Sequence, residues 1–284
     1  MAKPFYEHIQ AHYDLNDDFF ALFLDPSRTY SCAYFAEENM SLEQAQLAKI
    51  DLSLGKCDLH AGLGLLDIGC GWGTTAIRAA ETYNVDVIGL TLSANQFAYG
   101  RQRLESQPLS SGSVDFRLQG WEEFEEPVDR IVSIGAFEHF RKQRHHEFFT
   151  RCRSILAPGG RMMLHTIVYN SFARQRELGI TITEEDISFA RFIRAEIFPG
   201  GEICNPERIE ALATEANFEV FHTQSLRLHY ARTLDCWAAN LEASKHRAIE
   251  LTSPAVYETF MRYLTGCAAR FRQASIDIIQ FCMK

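Results

Sequence analysis

LLDIGCGWG, residues 65–73, is a short apolar run that passes into a loop with glycine at every second position. The apolar run predicts a buried β-strand, and the pattern of residues 74–83 predicts a helix directly after the loop. Glycine allows the backbone to turn sharply between the two and to approach a ligand closely. The stretch therefore predicts a strand–loop–helix unit, which is the building block of an α/β fold.

The same alternation continues along the chain. The runs VDVIGLTLS (85–93), VDFRLQG (114–120) and DRIVSIG (129–135) predict three further strands, and residues 94–106 and 143–156 predict helices between or after them. Strands that alternate with helices predict a parallel sheet covered on both faces.

Three more strands complete the predicted sheet. A turn at Pro158-Gly159-Gly160 leads into RMMLHTI (161–167), and FEVFHTQSL (218–226) and SIDIIQFCM (275–283) follow later. The prediction is therefore an α/β fold with a mostly parallel, seven-stranded sheet of the Rossmann-like kind.

The remaining segments predict helices around this sheet. Residues 1–60 are predicted to be helical, and Ser41 and Gln44 have the spacing of a capping box at the start of one helix. No linker interrupts the chain, so we expect one domain over 1–284. Its predicted parts are an N-terminal helical cap (1–60), a cofactor-binding core (61–167) and a helical lid (168–215 and 231–272).

Composition narrows the functional classes. A net charge of −9 disfavours a nucleic-acid-binding protein. The sequence contains no run of 18 apolar residues, so it predicts no membrane span. The start, MAKPFYEHIQ, lacks the apolar region of a signal peptide. We therefore expect a cytoplasmic protein. The eight cysteines have no CxxC spacing, which disfavours both a structural zinc site and a disulfide scaffold.

The glycine spacing distinguishes two classes of ligand. A dinucleotide-binding loop has the pattern G-x-G-x-x-G, whereas this loop has G-x-G-x-G preceded by Asp67. The pattern fits the S-adenosylmethionine loop of a methyltransferase better. The second strand carries no acidic residue that could bind a ribose hydroxyl. Thr91 and Gln96 are the alternative partners for this hydroxyl. Trp121 and Glu122 follow the third strand, where the indole either packs on an adenine or fills the core.

Several reactive side chains fall at the predicted carboxyl ends of strands, where ligands of parallel sheets bind. Glu138 lies among aromatic residues in IVSIGAFEHF (131–140), and His165 lies near the end of the fifth strand. Taken alone, each residue also has a purely structural interpretation: Glu138 as a charge at a helix N-terminus, and His165 as a buried core histidine. Cys32 and Cys267 are each either functional or small buried hydrophobes. Adjacent His145 and His146 diverge on a helix, which disfavours a metal site.

At this point the chain resembles a known family. The stretches TYSCAYF (29–35), LLDIGCGWG, IVSIGAFEHF, EIFPGG (196–201), HYARTLD (229–235) and YLTGC (263–267) resemble the mycolic acid cyclopropane synthases of the cyclopropane-fatty-acyl-phospholipid synthase group. The resemblance covers nearly the whole chain. It implies a class I methyltransferase fold, S-adenosylmethionine as cofactor, and an olefin in a long acyl chain on an acyl carrier protein as substrate.

The resemblance also implies the site residues. The family binds a bicarbonate ion at its reaction centre. Cys267 matches a cysteine that has been proposed as the active residue of the family. We give this role of Cys267 less weight than the bicarbonate role, because the chemistry needs no thiolate. The positions that match the bicarbonate site are Cys32, Ala136, Glu138, His165 and Tyr230. The positions that match the cofactor site are Tyr30, Ser31, Leu65, Leu66, Asp67, Ile68, Gly69, Cys70, Gly71, Trp72, Gly73, Thr91, Leu92, Ser93, Ala94, Asn95, Gln96, Trp121 and Glu122.

The implied reaction passes through a carbocation, which aromatic faces stabilise. Candidates for this role are Tyr13, Tyr30, Phe137, Tyr230 and Trp237. Candidates for the wall of an acyl-chain tunnel in the lid are Phe172, Phe189, Phe192, Ile193 and Phe198, unless they are ordinary helix core. Candidates for cations that meet an acidic carrier are Arg174, Arg176, Arg191 and Arg194, unless they are a solvated face.

Other functions stay open at this stage. Siblings on the same scaffold make a methyl-branched alkene or a methyl-branched alcohol, and glycine before Ala136 favours the cyclopropane members. Two other classes are an NAD(P)-dependent oxidoreductase, which the glycine spacing disfavours, and a non-enzymatic lipid carrier, which would not need Cys32, Glu138, His165 and Tyr230 together. The sequence does not predict the chain length, the product geometry, the identity of the carrier or the oligomeric state. It leaves peripheral membrane association open.

Overall fold

The structure, a computed structural model, describes residues 17–284. The strands are β1 (Gly64–Ile68), β2 (Asp86–Thr91), β3 (Ser113–Leu118), β4 (Val128–Ile134), β5 (Leu156–Tyr169), β6 (Val220–Ser225) and β7 (Ile276–Met283). The α-helices are α1 (Asp17–Ala21), α2 (Leu42–Lys56), α3 (Thr74–Tyr83), α4 (Ala94–Ser106), α5 (Lys142–Ile155), α6 (Phe172–Glu177), α7 (Glu184–Phe192), α8 (Pro206–Glu215), α9 (Arg227–Ala243), α10 (Lys245–Leu251) and α11 (Pro254–Arg272).

The strands form one seven-stranded sheet in the order β3-β2-β1-β4-β5-β7-β6. The first five strands in this order pair in parallel, whereas β7 is antiparallel to both of its neighbours, β5 and β6. The predicted α/β fold with a mostly parallel sheet is confirmed. Because the strand order reverses direction between β1 and β4, their carboxyl ends flank a crevice of the kind in which ligands bind.

The N-terminal cap is less helical than the sequence predicted. The predicted capping box of α2 is present, but residues 22–41 form a loop. The carboxylate of Asp25 accepts hydrogen bonds from the backbone N–H groups of Ser27 and Thr29, and Arg28 has a φ of 54°. These local bonds compete with a helix. Residues 1–16, including the helix predicted there, lie outside the described residues.

Two other boundaries differ from the prediction. In place of the predicted turn at 158–160, β5 begins irregularly at Leu156. Leu156 pairs with Val128 and Arg161 pairs with Arg130, so the β5 segment between these pairs is longer than the β4 segment that it faces. The predicted helical stretch 231–272 consists of three helices. It breaks before Pro254, because proline cannot donate a backbone hydrogen bond and therefore begins a new helix, which Ser253 caps.

Three large apolar clusters, beside a small one around Ala33, Phe35 and Ala45, hold residues 17–284 together. One cluster covers one face of the sheet with α5 and α8 and includes Phe148, Phe149 and Leu212. A second covers the other face with α2 and α3 and includes Ile50 and Ala76. The third joins the lid helices.

The third cluster is largely aromatic. It brings α1 against α9 and α11 through Phe19, Phe23, Trp237 and Phe260, and the rings of Phe19 and Phe260 lie 4.9 Å apart. Aromatic side chains bury large apolar areas, so this cluster anchors the N-terminal segment to the lid.

Gly112 gives a test of the core beside β3. It has a φ of +64°, and a Cβ atom added there would lie 2.5 Å from the carbonyl oxygen of Val85. Gly62 has a φ of +85° but open space around it. We expect Gly112→Ala to lower the free energy of unfolding by roughly 2–4 kcal/mol and Gly62→Ala by about 1 kcal/mol, because only the first adds a steric clash to the backbone strain. Urea unfolding curves measure both values, and equal losses would contradict this packing.

Candidate active site

The glycine-rich loop after β1 and the loop after β4 touch each other at the carboxyl edge of the sheet. A Cβ atom on Gly69, which has a φ of +79°, would lie 2.4 Å from the Cβ of Ala136. A larger residue is therefore excluded by both backbone conformation and space. The contact brings the turn that carries Glu138 next to the predicted cofactor loop.

A cleft of about 960 Å³, part of it open to solvent, lies above these loops. Many of the predicted cofactor positions line it: Tyr30, Ser31, Asp67, Ile68, Gly69, Cys70, Gly71, Trp72, Thr91, Leu92, Gln96 and Trp121. Seven predicted positions are not among its lining residues: Leu65, Leu66, Gly73, Ser93, Ala94, Asn95 and Glu122. Leu65 and Leu66 lie inside β1, and Ser93 caps α4, so these three support the cleft from behind.

Thr91 and Gln96 form a pair at the end of β2. The hydroxyl of Thr91 donates to Oε1 of Gln96 over 2.8 Å, and both side chains are buried. The amide nitrogen of Gln96 keeps its two donors, and the Thr91 oxygen keeps acceptor capacity. The pair therefore offers polar atoms at the place where many related folds carry an acid.

Trp121 and Glu122 lie in a short turn after β3. The Trp121 ring packs against Phe148 and Phe140, as the core alternative predicts, and it also lines the cleft, so packing on an adenine stays a prediction. Glu122 is buried and pairs with Arg144 over 2.8 Å, while its second oxygen, Oε2, has no partner among the described residues. Burial raises the pKa of Glu122 above its usual value, and Arg144 opposes that shift.

Glu138 lies in a short turn directly after β4. Its Oε1 accepts a hydrogen bond from the backbone N–H of Ile167 over 2.7 Å, whereas its buried Oε2 has no partner in residues 17–284. Burial raises the pKa of this carboxyl to about 7, and the bonds from Ile167 and the Thr166 hydroxyl limit the rise. A carboxyl group with this pKa takes up or releases a proton near neutral pH.

Cys32, His165 and Tyr230, which are also predicted reaction-centre residues, are all buried. Burial raises the pKa of the Tyr230 phenol well above its usual value, and the nearby Tyr30, Cys32, Cys267 and Glu138 add to the rise. None of Cys32, Glu138, His165 and Tyr230 lines the cleft. Ser31 and Ala136 do line it, and in the chain they lie directly before Cys32 and two residues before Glu138.

The two cysteines are both thiols rather than thiolates. Burial raises the pKa of Cys32 far above its usual range, and its thiol donates to the carbonyl of Ala33 over 3.1 Å. Burial raises the pKa of Cys267 to about 12. A protonated thiol is a weak nucleophile, so the geometry favours a hydrogen-bonding role over a nucleophilic one.

Three of the predicted cation-stabilising aromatics lie together. The rings of Tyr30 and Trp237 are 5.3 Å apart, and those of Tyr230 and Trp237 are 6.0 Å apart. Phe137 belongs to a different cluster and stacks on His145 at 4.3 Å, so its assignment to this group is wrong. The side chain that follows a strand can point to either face, and the sequence does not decide which. Tyr13 lies outside the described residues.

The apolar side chains predicted for the tunnel wall are mostly covered, which both a tunnel wall and an ordinary helix core would show. Phe189 is buried, and Phe192, Ile193 and Phe198 pack against the lid's aromatic cluster. Phe172 is 76% exposed and does not belong to the wall, because it lies in the first turn of the short helix α6, where no other element of the described chain covers it. The four lid arginines Arg174, Arg176, Arg191 and Arg194 are exposed as predicted, and Arg174 pairs with Glu177.

His145 and His146 point in different directions. His145 is buried, with Nε2 2.9 Å from the carbonyl of Phe140 and Nδ1 3.1 Å from Sγ of Cys204, whereas His146 is exposed. The residues from 17 onward contain no group of three potential metal ligands.

Lys49 is the main site residue that the sequence analysis missed. It is completely buried on α2, lines the cleft, and its Nζ donates to the hydroxyl of Ser31 over 2.7 Å. Burial lowers the pKa of Lys49 to about 8 and raises that of Asp67 to about 7, and the two charges oppose each other's shifts. A lysine at a helical core position was a detectable signal, because lysine is almost never fully buried without a role.

Comparison with known proteins identifies the family. A family model described as mycolic acid cyclopropane synthetase matches residues 2–281. The chain belongs to this family. It is 54% identical to cyclopropane mycolic acid synthase 3 of Mycobacterium tuberculosis (strain ATCC 25618 / H37Rv) over 281 residues, which cover 99% of this chain and 98% of the relative.

Solved structures agree with this assignment. The cyclopropane synthase MmaA2 from Mycobacterium tuberculosis has a TM-score of 0.96 and 51% identity, with coverage of 99% of this chain and 98% of that one. The mycolic acid cyclopropane synthase CmaA1 complexed with SAH and CTAB has a TM-score of 0.94 and 50% identity, with coverage of 100% and 99%.

The family assignment makes the protein an enzyme, an S-adenosylmethionine-dependent methyltransferase of the cyclopropane-synthase type with a class I methyltransferase fold. The alternatives of an NAD(P)-dependent oxidoreductase and of a non-enzymatic lipid carrier are set aside. From residue 17 to residue 284, no helix is long and apolar enough to cross a membrane.

Lys49 can be tested by its effect on cofactor affinity. We expect Lys49→Met to raise the Kd for S-adenosylmethionine about tenfold, because the change leaves the buried Ser31 hydroxyl and Asp67 without their cationic neighbour. Calorimetric titration measures the Kd. The control is Lys56→Met, the same change on the same helix at a position that does not line the cleft. A Kd for Lys49→Met within twofold of the wild-type value would show that Lys49 does not support the cofactor loop.

Proposed function

We propose that the enzyme transfers the methyl group of S-adenosylmethionine to a double bond in a long, mycolic-type acyl chain and closes a cyclopropane ring. The observation that carries the proposal is the buried carboxyl of Glu138, with one oxygen held by Ile167 and the other unpaired, near the phenol of Tyr230. An unpaired buried oxygen is costly unless it has a partner in the reaction. Proton transfer at this point is what ring closure needs.

The cleft fits the methyl donor. The unpaired atoms Oδ2 of Asp67, Nε1 of Trp121 and Oε2 of Glu122 are polar groups at or beside the cleft without partners in the described part of the chain. Thr91 and Gln96 supply further acceptors and donors for a ribose. A relative of known structure is described as a complex with SAH, the demethylated form of the donor, which supports the same use of this cleft.

The chemistry requires a protected cation. The π-electrons of the olefin attack the methyl carbon, the bond from that carbon to sulfur breaks, and the chain is left with a carbocation. Tyr30, Tyr230 and Trp237 present aromatic faces, each of which stabilises a desolvated cation by about 1–2 kcal/mol. The transferred methyl group then loses a proton, and the electrons of that C–H bond close the ring. The lid keeps water from the cation.

A bicarbonate ion fits the reaction centre. Oε2 of Glu138 and Nε2 of His165 are buried polar atoms without a partner among the described residues, and both side chains would help to hold such an anion. When bound, bicarbonate would supply the base that removes the methyl proton. Glu138 would hold this anion, and its carboxyl can accept a proton near neutral pH because burial raises its pKa to about 7. His165, Tyr230, Cys32 and the neighbourhood of Ala136 complete the anion site.

The substrate reaches this centre through the lid. Phe189, Phe192, Ile193 and Phe198 provide apolar surface for an acyl chain. The exposed arginines of the lid fit an acidic acyl carrier protein that delivers the chain. The eight cysteines are all free thiols, which fits a reducing, cytoplasmic compartment.

Product analysis tests the proposed reaction. The enzyme is incubated with S-adenosylmethionine and a long unsaturated acyl chain on its carrier protein. The molecular mass of the released acid is then measured by mass spectrometry before and after mild hydrogenation. We expect a gain of one CH2 unit that resists hydrogenation, which indicates a cyclopropane. A gain that then takes up hydrogen indicates a methyl-branched alkene, and an added oxygen indicates a methyl-branched alcohol; either result would overturn the cyclopropane assignment.

Glu138 is tested in the same assay. We expect Glu138→Gln to remove turnover by at least about 100-fold, since the amide cannot take up a proton, while the Kd for S-adenosylmethionine changes by less than about twofold. Wild-type turnover should also fall in buffer depleted of carbon dioxide and recover when bicarbonate is added. The control is Glu147→Gln, an exposed carboxyl beside Arg144, which leaves both values unchanged. Undiminished turnover in Glu138→Gln would overturn the role of Glu138.

Cys267 offers a separate test of the mechanism. We expect Cys267→Ser to retain at least half of the wild-type kcat, because burial keeps this thiol protonated and the proposed steps use no thiolate. The measurement is steady-state turnover with the same acyl substrate. A loss of more than about 100-fold in a folded variant would mean that Cys267 acts as a nucleophile or base.

A further inference from the structure

Three polar side chains form a row across the sheet beside the reaction centre. In the strand register Gln224 on β6 lies opposite Gln280 on β7, and Gln280 lies opposite His165 on β5. Directly opposite residues project from the same face of a sheet, so the three side chains are neighbours. Gln280 and His165 are completely buried, under the end of α2 that carries Ser53 and Lys56.

The hydrogen bonds fix the orientation of the Gln280 amide. The ammonium of Lys56 has donors only, so the Gln280 atom that it contacts must be the carbonyl oxygen, Oε1. The hydroxyl proton of Ser53 is used in a 2.8 Å bond to the carbonyl of Lys49, so the Ser53 oxygen accepts from Nε2 of Gln280 over 2.9 Å. Both constraints, from opposite ends of the amide, give the same orientation.

This orientation decides the protonation of His165. The second donor of the Gln280 amide lies 3.0 Å from Nδ1 of His165, so Nδ1 must accept and carries no proton. The ring therefore carries its proton on Nε2. That atom is buried and has no hydrogen-bond partner within residues 17–284. Burial and the two lysines, Lys49 and Lys56, lower the pKa of His165 well below its usual value, which keeps the ring neutral.

We infer that Gln280 is a positioning residue that holds His165 in the Nε2–H tautomer, so that this N–H donates to an anion at the reaction centre. The inference rests on the proposed function for the identity of that anion. The opposite tautomer would present a lone pair to a negative charge and repel it. Lys56 anchors the amide, and Gln224 accepts a further bond from the same ammonium without contacting His165.

The tautomer can be observed directly. In full-length enzyme labelled with 15N in histidine, two-bond 15N–1H correlation spectra distinguish a protonated Nε2 from a protonated Nδ1. The signals of His165 are assigned by their loss in His165→Gln. We expect wild-type His165 to be neutral, with the proton on Nε2, between pH 6 and 8. A proton on Nδ1 in the wild-type enzyme would overturn the inference, whatever its activity.

Gln280→Glu replaces the amide that donates to His165 with a carboxylate that accepts from it. A carboxylate has no donor for Nδ1 and instead accepts from it, so we expect a proton to appear on Nδ1 of His165. We expect kcat to fall roughly 10- to 100-fold, the apparent KM for bicarbonate to rise, and the Kd for S-adenosylmethionine to stay within twofold. The matched control is Gln224→Glu, the same change one strand away, which should alter neither the His165 spectrum nor kcat.

The outcomes separate this inference from the proposed function. A shifted proton with unchanged kcat and unchanged KM for bicarbonate would overturn the role of Gln280 as a positioning residue. If Gln280→Glu does not fold, as its thermal unfolding curve would show, the wild-type spectrum alone decides the tautomer. Wild-type turnover that is independent of bicarbonate would refute the proposed base, although His165 would still carry its proton on Nε2.

Discussion

The close contact between the loop after β1 and the loop after β4 is the constraint on which the site depends. It exists only because Gly69 has no side chain where Ala136 approaches. The first loop forms the floor of the cleft, and the second continues into the turn of Glu138. A single close contact between two loops thus sets the distance between the cleft and the turn of Glu138, which are the proposed sites of the methyl donor and of proton uptake. Any separation of the two loops would uncouple binding from chemistry.

Burial of charged and polar groups is the second theme of this site. Lys49, Glu138 and His165 all lie in surroundings that disfavour their charged forms, and each has a pKa shifted in the corresponding direction. In water Lys49 and Glu138 would carry fixed charges at neutral pH, whereas the imidazole of His165 would titrate close to it. Here their protonation follows from their neighbours, which is how an enzyme matches a base to a reaction that generates a short-lived cation.

The sequence predicted the parts of the structure that depend on local patterns. The seven strands, the capping box at Ser41 and the glycine loop all have local signatures, and all are present. Lys49 does have a local signature, a lysine at a core position of a helix, but its bond to Ser31 and the contact of Gln280 with His165 join separate segments of the chain, which no local pattern predicts. Phe137 and Phe172 were misplaced for the same reason: the chemistry of a phenylalanine predicts burial but not which surface covers it.

The order of strands in the sheet has a consequence for biosynthesis. β6 pairs with β7, which the ribosome adds about fifty residues later, after the whole helical segment α9 to α11. Until then the edges of β5 and β6 lack their partner and expose unpaired backbone groups. β5 and β6 therefore join one sheet only after β7 has inserted between them, and the same step brings Gln280 beside His165.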